Sequence, residues 1–561
     1  MRSRAWFHGP EYYNFARKAW LRSEGFNSDV FAEGKPIVGI CNSWSELNSC
    51  NAGLKDVAEA VKRGVWQAGG VPLEFPTISL AEMLMKPTAM LFRNLMAMDV
   101  EESIRAHPLD AVVLLSGCDK TTPAQLMGAA SADVPAIMVT AGPMLAGNWK
   151  GQVLGSGTDG RKLFDQFRAG RITVEELGEV ESCLARSAGH CTVMGTASTM
   201  ACIAEALGMT LPGCAAIPAV DSRRLMLAEA SGRRAVAIAR EDLRPSAVLT
   251  RESLENAITA LMALGGSTNG VVHLLAIAGR LGIDLRLEDF DRISRTTPCL
   301  ANLKPSGTYV MEDFFNAGGL PALLQTVSDL LHQDAVTING QTLGNNIQSA
   351  VSHNTDVIRT RDNALGAEGG IAILGGNLCP NGAVIKQSAA TPELMEHTGR
   401  AWVFESYSQM LADVDSEDLP VDEHSVLVLK NAGPKGGPGF PEWGWIPMPK
   451  ALLKRGVKDV VRISDARMSG TSFGTVVLHV APESAVGGPL ALVRTGDSIC
   501  LDVAQRKVDL LISAEEWEAR QTLLRLPEPQ YQRGYGKLFL DHVLQADQGC
   551  DFDFLRAVTS R

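Results

Sequence analysis

The sequence predicts an α/β chain: an N-terminal α/β/α domain on a parallel sheet, then a C-terminal β-barrel-like domain. Over the first two-thirds, short apolar runs alternate with helical stretches, as βα units require. From about residue 369, short β-rich segments separated by Gly, Pro and Asp turns take over, the spacing of a barrel or sandwich. The length of 561 residues, 45% hydrophobic and 20% charged, suits more than one domain. The change of texture near 360–370 places the expected domains at 1–365 and 366–561.

Taken in order, residues 35–41 (KPIVGIC) read as a buried strand and 53–69 as a helix. Residues 110–116 (DAVVLLS) read as a second strand, followed by a loop and an Ala-rich helix, and 134–140 (VPAIMVT) as a third. Residues 195–207 (GTASTMACIAEAL) form a helix whose small residues allow close packing, and 252–264 another, ending in the turn GGSTNG. The later strands are GGIAILGG, HSVLVLK, DVVRIS, GTVVLHV and ALVRTGDSICLDV; the acidic stretch 413–423 reads as a solvated loop.

The net charge of −11 lacks the basic stripe that nucleic acid demands, so no nucleic-acid partner is expected. The N-terminal residues lack the apolar core of a secretory signal, and no run of about 18 apolar residues appears. A cytoplasmic protein without a membrane partner is the expectation. Eleven scattered cysteines argue against a disulfide framework, and most read as buried small hydrophobes.

Three cysteines stand where ligands would. Cys118 follows a predicted strand in SGCDKTTP; Cys50, in SWSELNSCN, and Cys191, in GHCTVMGTAS, each precede a helix. In open parallel sheets, sites collect outside the carboxyl ends of strands, where helices begin. Helix N-termini favour thiolates. Three such thiolates can hold an iron–sulfur cluster with one open iron, a Lewis acid for a departing hydroxyl. Cys202 and Cys214 carry no such signal. Glu82, Asp119 and Glu442 lie in loops suited to Mg²⁺, which takes hard oxygen ligands. Lys120 coordinates nothing as an ammonium; it would have to be neutral or carbamylated. Ser469 in SDARMSGT could act as a base only with a strongly lowered pKa, which nearby metal charge could supply. No GxSxG motif occurs, and GGSTNG and GAEGG fit no nucleotide fingerprint, so they read as tight turns.

The segments SWSELNSCN, SGCDKTTP, GHCTVMGTASTM, LGGSTNGVVHL, GGPGFPEWG and SDARMSGT, in that order, resemble the family of dihydroxy-acid and sugar-acid dehydratases over nearly the whole chain. The stretch MKPTAMLFRNLMAMDVEE resembles the branch acting on pentonic acids such as L-arabinonate and D-xylonate. Ser49 departs from the proline many relatives carry before the cysteine. The resemblance implies that Cys50, Cys118 and Cys191 hold a 2Fe–2S cluster, and that Glu82, Asp119, carbamylated Lys120 and Glu442 bind Mg²⁺. It further implies Ser469 as an alkoxide base, Thr471 near the substrate carboxylate, a small-molecule sugar-acid substrate, and homodimers or homotetramers. Two rival readings stand beside it: the dihydroxy-acid dehydratase of branched-chain amino-acid biosynthesis, and a non-catalytic iron–sulfur redox sensor. The blandest is a metal-free enzyme whose cysteines all fill cores.

Overall fold

The computed structural model describes residues 1–31 and 34–557 and has the expected mixed α/β architecture. Its first part is built on β1 (Ile37–Asn42), β2 (Val71–Pro76), β3 (Ala111–Ser116) and β4 (Ala136–Thr140), all parallel, in the order β2-β1-β3-β4. Every residue of β1, β3 and β4 is buried, which is why their sequences are near-continuous apolar runs. The edge strand β2 is buried at its start and alternates half-buried and exposed positions towards its end.

The helices that position the site are α1 (Leu54–Gln67), α2 (Arg93–Ala106), α3 (Thr121–Ala132), α4 (Thr158–Arg168), α5 (Thr196–Ala206), α6 (Ser222–Glu241), α7 (Arg251–Ala263) and α8 (Asn269–Leu281). α1 packs on α6 along one face of the sheet, and α2 on α3 along the other, as right-handed crossovers in this strand order require. α5 is buried along its whole length; its Ala, Ser and Thr residues let α7 and α8 approach closely.

The second part is an eight-stranded sheet in the order β14-β13-β9-β10-β11-β12-β8-β7. A hairpin, β5 (Gly147–Trp149) and β6 (Gln152–Leu154), precedes it in the chain. The eight strands are β7 (Ala372–Leu374), β8 (Ala383–Ile385), β9 (Glu396–Phe404), β10 (Val426–Leu429), β11 (Val461–Ser464), β12 (Val476–Leu478), β13 (Ser498–Asp502) and β14 (Lys507–Leu511). Gly375, beyond β7, bonds to Arg506 and Val508 through two 2.8 Å backbone hydrogen bonds, so the two edges meet and the sheet nearly closes into a barrel. Val428, Ile463, Val477, Ile499 and Leu510 belong to its buried core. Met468, Val476 and Leu478 belong instead to the large core of the first part, so the two parts share packing. Among the described residues, no helix is long and apolar enough to cross a membrane.

Candidate active site

A cavity of about 790 Å³ opens where loops following β1, β2 and β3 face loops of the barrel. Cys50, Glu82, Cys118, Asp119, Cys191, Glu442, Ser469 and Thr471 all line it. Lys120 lies behind the wall, fully buried, with its Nζ 2.7 Å from Asp119 Oδ2. The sequence-predicted residues therefore come together from both parts of the chain.

The thiols are brought close by the turn after β3. A Cβ built on Gly117 would stand 2.8 Å from the carbonyl oxygen of Cys50 and 2.3 Å from Ala141 Cβ, so only glycine lets the Cys50 loop lie this near Cys118. Cys118, Asp119 and Lys120 occupy the first positions ahead of α3, and the Cys118 amide donates to Thr121 Oγ1 at 3.2 Å. The neighbouring Cys118 thiol, burial, and repulsion from Cys118, Cys191 and Asp119 push the Cys50 thiol well above the ordinary range. Burial likewise raises Cys191. Without a cation Cys50 and Cys191 thus hold their protons, and each would release one on binding a metal. Among the described residues, no three His, Cys, Asp or Glu side chains close around a single metal-ion position.

The carboxylates gather around Arg467. Its guanidinium donates to Glu442 Oε1 at 2.7 Å, to Glu82 Oε1 at 3.3 Å and to Thr88 Oγ1 at 2.6 Å. Glu82 is further held by Thr88 Oγ1 at 2.7 Å and the Ala89 amide at 3.0 Å. Burial raises the Glu82 carboxyl, and repulsion from Glu442 and Asp119 adds to this against the attraction of Arg467. Burial also opposes the charge of Asp119, but Lys120 and Arg467 outweigh it and hold this carboxyl below its usual range.

Ser469 sits in a turn after β11, its Oγ 3.0 Å from Thr471 Oγ1. Three features fix the turn. Asn269 Nδ2 donates to the Met468 carbonyl at 2.8 Å while its Oδ1 accepts from Arg467 at 3.0 Å. Thr158 Oγ1 donates to the Thr471 carbonyl at 2.8 Å. Buried Lys386, following β8, donates from Nζ to the Gly470 carbonyl at 3.3 Å, and burial lowers its ammonium to about 7. Arg161 of α4 reaches Thr471 Oγ1 at 2.6 Å.

Sequence reasoning missed Arg161, Asn269, Lys386 and Arg467. GGSTNG is a tight turn, as read, but Ser267 and Asn269 within it also brace the Ser469 loop through Thr196 and Met468. The one available signal was the motif SDARMSGT itself, where Arg467 stands two residues from Ser469. Cys202 and Cys214 are buried, as expected of core residues.

Comparison with known proteins identifies the family. Residues 35–346 match the dihydroxy-acid/6-phosphogluconate dehydratase N-terminal domain, and residues 356–550 match the C-terminal domain. The chain is 54% identical over 564 residues to an L-arabonate dehydratase of Azospirillum brasilense, covering 99% of this chain and 97% of that one. It is 51% identical over 558 residues to an L-arabinonate dehydratase of Rhizobium leguminosarum bv. trifolii, covering 99% and 96%. A dihydroxy-acid dehydratase of Carboxydothermus hydrogenoformans stands further off, 40% identical over 529 residues, with 92% and 94% covered. With both family domains matched in order along the chain, it belongs to the dihydroxy-acid/6-phosphogluconate dehydratase family.

Proposed function

We propose that the chain is a hydro-lyase that dehydrates a sugar acid, an aldonate such as L-arabinonate or D-xylonate, to the 2-keto-3-deoxy acid. The observation that carries this reading is the convergence of three thiols, three carboxylates and Ser469 on one cavity. Identity above one half to relatives named for L-arabinonate, against 40% to one named for a dihydroxy acid, supports the sugar-acid substrate.

Cys50, Cys118 and Cys191 would hold a 2Fe–2S cluster, and Glu82, Asp119, carbamylated Lys120 and Glu442 a Mg²⁺ ion. The donors suit these groups: thiolates for iron, hard oxygens for magnesium. The raised Glu82 carboxyl and Cys50 and Cys191 thiols fit as well, since a bound cation would draw each towards its anion. A two-iron cluster is wider than one ion, so its thiols need not close around a single point. When bound, the two groups supply Lewis acidity at the reacting C2–C3 unit.

The protein's own residues do the rest. Ser469, as alkoxide, takes the C2 proton; the C–H electron pair forms the C2–C3 double bond as the C3 hydroxyl departs with its bonding pair, that hydroxyl leaves as water with the proton Ser469 gives up, and the enol tautomerises. Thr471 lies beside the base and would face the substrate carboxylate. Leu184, Leu411, Trp445 and Pro447 wall the cavity with apolar surface. That apolar lining favours a second reading, a branched aliphatic dihydroxy acid as substrate.

Anaerobic assays of L-arabinonate, D-xylonate and 2,3-dihydroxyisovalerate side by side, with iron and sulfide quantified on the same sample, test the proposal. Turnover of a pentonate by iron-loaded protein is expected. Turnover of only the branched acid moves the assignment to the second reading. Loaded protein inert towards every acid overturns the enzyme reading in favour of a redox sensor. Ser469→Ala should keep the cluster absorbance and lose turnover.

A further inference from the structure

We propose that Arg161 is a positioning residue that fixes the direction of the Thr471–Ser469 hydrogen bond, making Ser469 Oγ the acceptor. This rests on the reading of Ser469 as the base. A guanidinium has only donors, whereas a hydroxyl has one proton and two lone pairs. Arg161 NH1 stands 2.6 Å from Thr471 Oγ1 and must donate to it. The Thr471 proton is then directed to the other close oxygen, Ser469 Oγ, 3.0 Å away. The Thr471 amide points at the same Ser469 oxygen at 3.5 Å. Two donors thus converge on Ser469 Oγ, the polarity that favours its anion. A charged donor at the head of the chain strengthens the neutral link behind it.

The surroundings leave Thr471 little freedom to reverse this arrangement. Gly157, which caps α4 at φ +81, has its Cβ position 2.6 Å from Thr471 Oγ1, so a side chain there would occupy the space the hydroxyl needs. On the other flank, a Cβ on Gly195 would lie 2.8 Å from Thr471 Cγ2, so the methyl fills that gap. With hydroxyl and methyl each against a glycine, the β-branched side chain is confined to one rotamer. Arg161 is itself braced by the Gly157 carbonyl at 3.3 Å and lies 5.4 Å from the Trp445 ring centroid. The base is in the second part of the chain, and the residue that orients its neighbour is in the first.

The test is steady-state kinetics on the metal-loaded enzyme with protiated and 2-deuterated sugar acid. Arg161→Met is expected to lower kcat about 10- to 100-fold, the worth of a hydrogen bond to a charged group. KM should change little, and the deuterium isotope effect on kcat should be retained or increased. Arg161→Lys, also a pure donor, should recover much of the loss. Arg161→Met combined with Thr471→Val should be no worse than Thr471→Val alone, because the two act along one chain. Unchanged kcat in Arg161→Met overturns the proposal, as does an isotope effect collapsing towards one or a double variant whose losses multiply. If Arg161→Met loses the native circular dichroism, Arg161→Gln carries the same comparison. Ser469→Ala separates the two levels. An active Ser469→Ala enzyme refutes the base itself; an inactive one beside a fully active Arg161→Met refutes only the role of Arg161.

Discussion

Arg467 donates to Glu82 at 3.3 Å, although 385 positions separate them in the chain. The same guanidinium holds Glu442, so one buried cation from the second part compensates carboxylates from both.

Removing that cation leaves the carboxylates unpaired in a buried place. Arg467→Met should therefore lower the stability of metal-free protein by about 3–5 kcal/mol in urea unfolding. A loss below about 1 kcal/mol would mean that solvent already screens the group.

A second buried pair ties the C-terminal segment to the first part: Arg280 Nε donates to Asp551 Oδ2 at 2.6 Å, and NH1 to Glu101 at 3.1 Å. Asp551→Ala should cost a similar 3–5 kcal/mol. Greater protease cleavage near residue 549 should accompany it, and a variant as resistant as wild type would contradict this.

Stability should depend on pH from both sides. Burial raises the carboxyls of Glu205 and Glu483 from 4.5 to about 7. The folded chain holds these protons more tightly than the unfolded one, so their contribution is full below about 4.5 and is lost as pH rises through 7. Burial lowers His190 to about 4 and His479 to about 3 from 6.5. Their contribution is present above 6.5 and lost as pH falls through those lower values. Glu205→Gln should flatten the decline between pH 5 and 8 in denaturant midpoints. Parallel profiles for variant and wild type would remove Glu205 from this account.

Under the proposed assignment, iron content should separate the cysteines by position. Cys118→Ala should abolish bound iron, while Cys500→Ala, on β13 in the barrel sheet, should retain it. Equal iron in both variants would place the cluster elsewhere.

Much of this was legible in sequence for a simple reason: buried parallel strands are continuous apolar runs. Residues 110–116 and 134–140 lie within two positions of β3 and β4 at each end. The longest barrel strand, β9, was missed because its sequence EHTGRAWVF is polar over its first half, where alternate residues face solvent. The residues that gather at the cavity could be named from sequence because their motifs are local. Arg161, Asn269 and Lys386 were not, because each acts on a turn some 84 to 310 residues away, a relation that only the folded chain creates.

The seam at Gly375 also bears on solubility. The seam joins the chain beyond β7 to β14, the two outer strands of the C-terminal sheet, so their edges offer fewer unpaired amides and carbonyls to a neighbouring molecule. In the N-terminal sheet, the Met138 amide of edge strand β4 bonds outward to the Met209 carbonyl at 2.8 Å. The backbone thereby guards these edges against strand-to-strand pairing at high concentration, independently of surface charge.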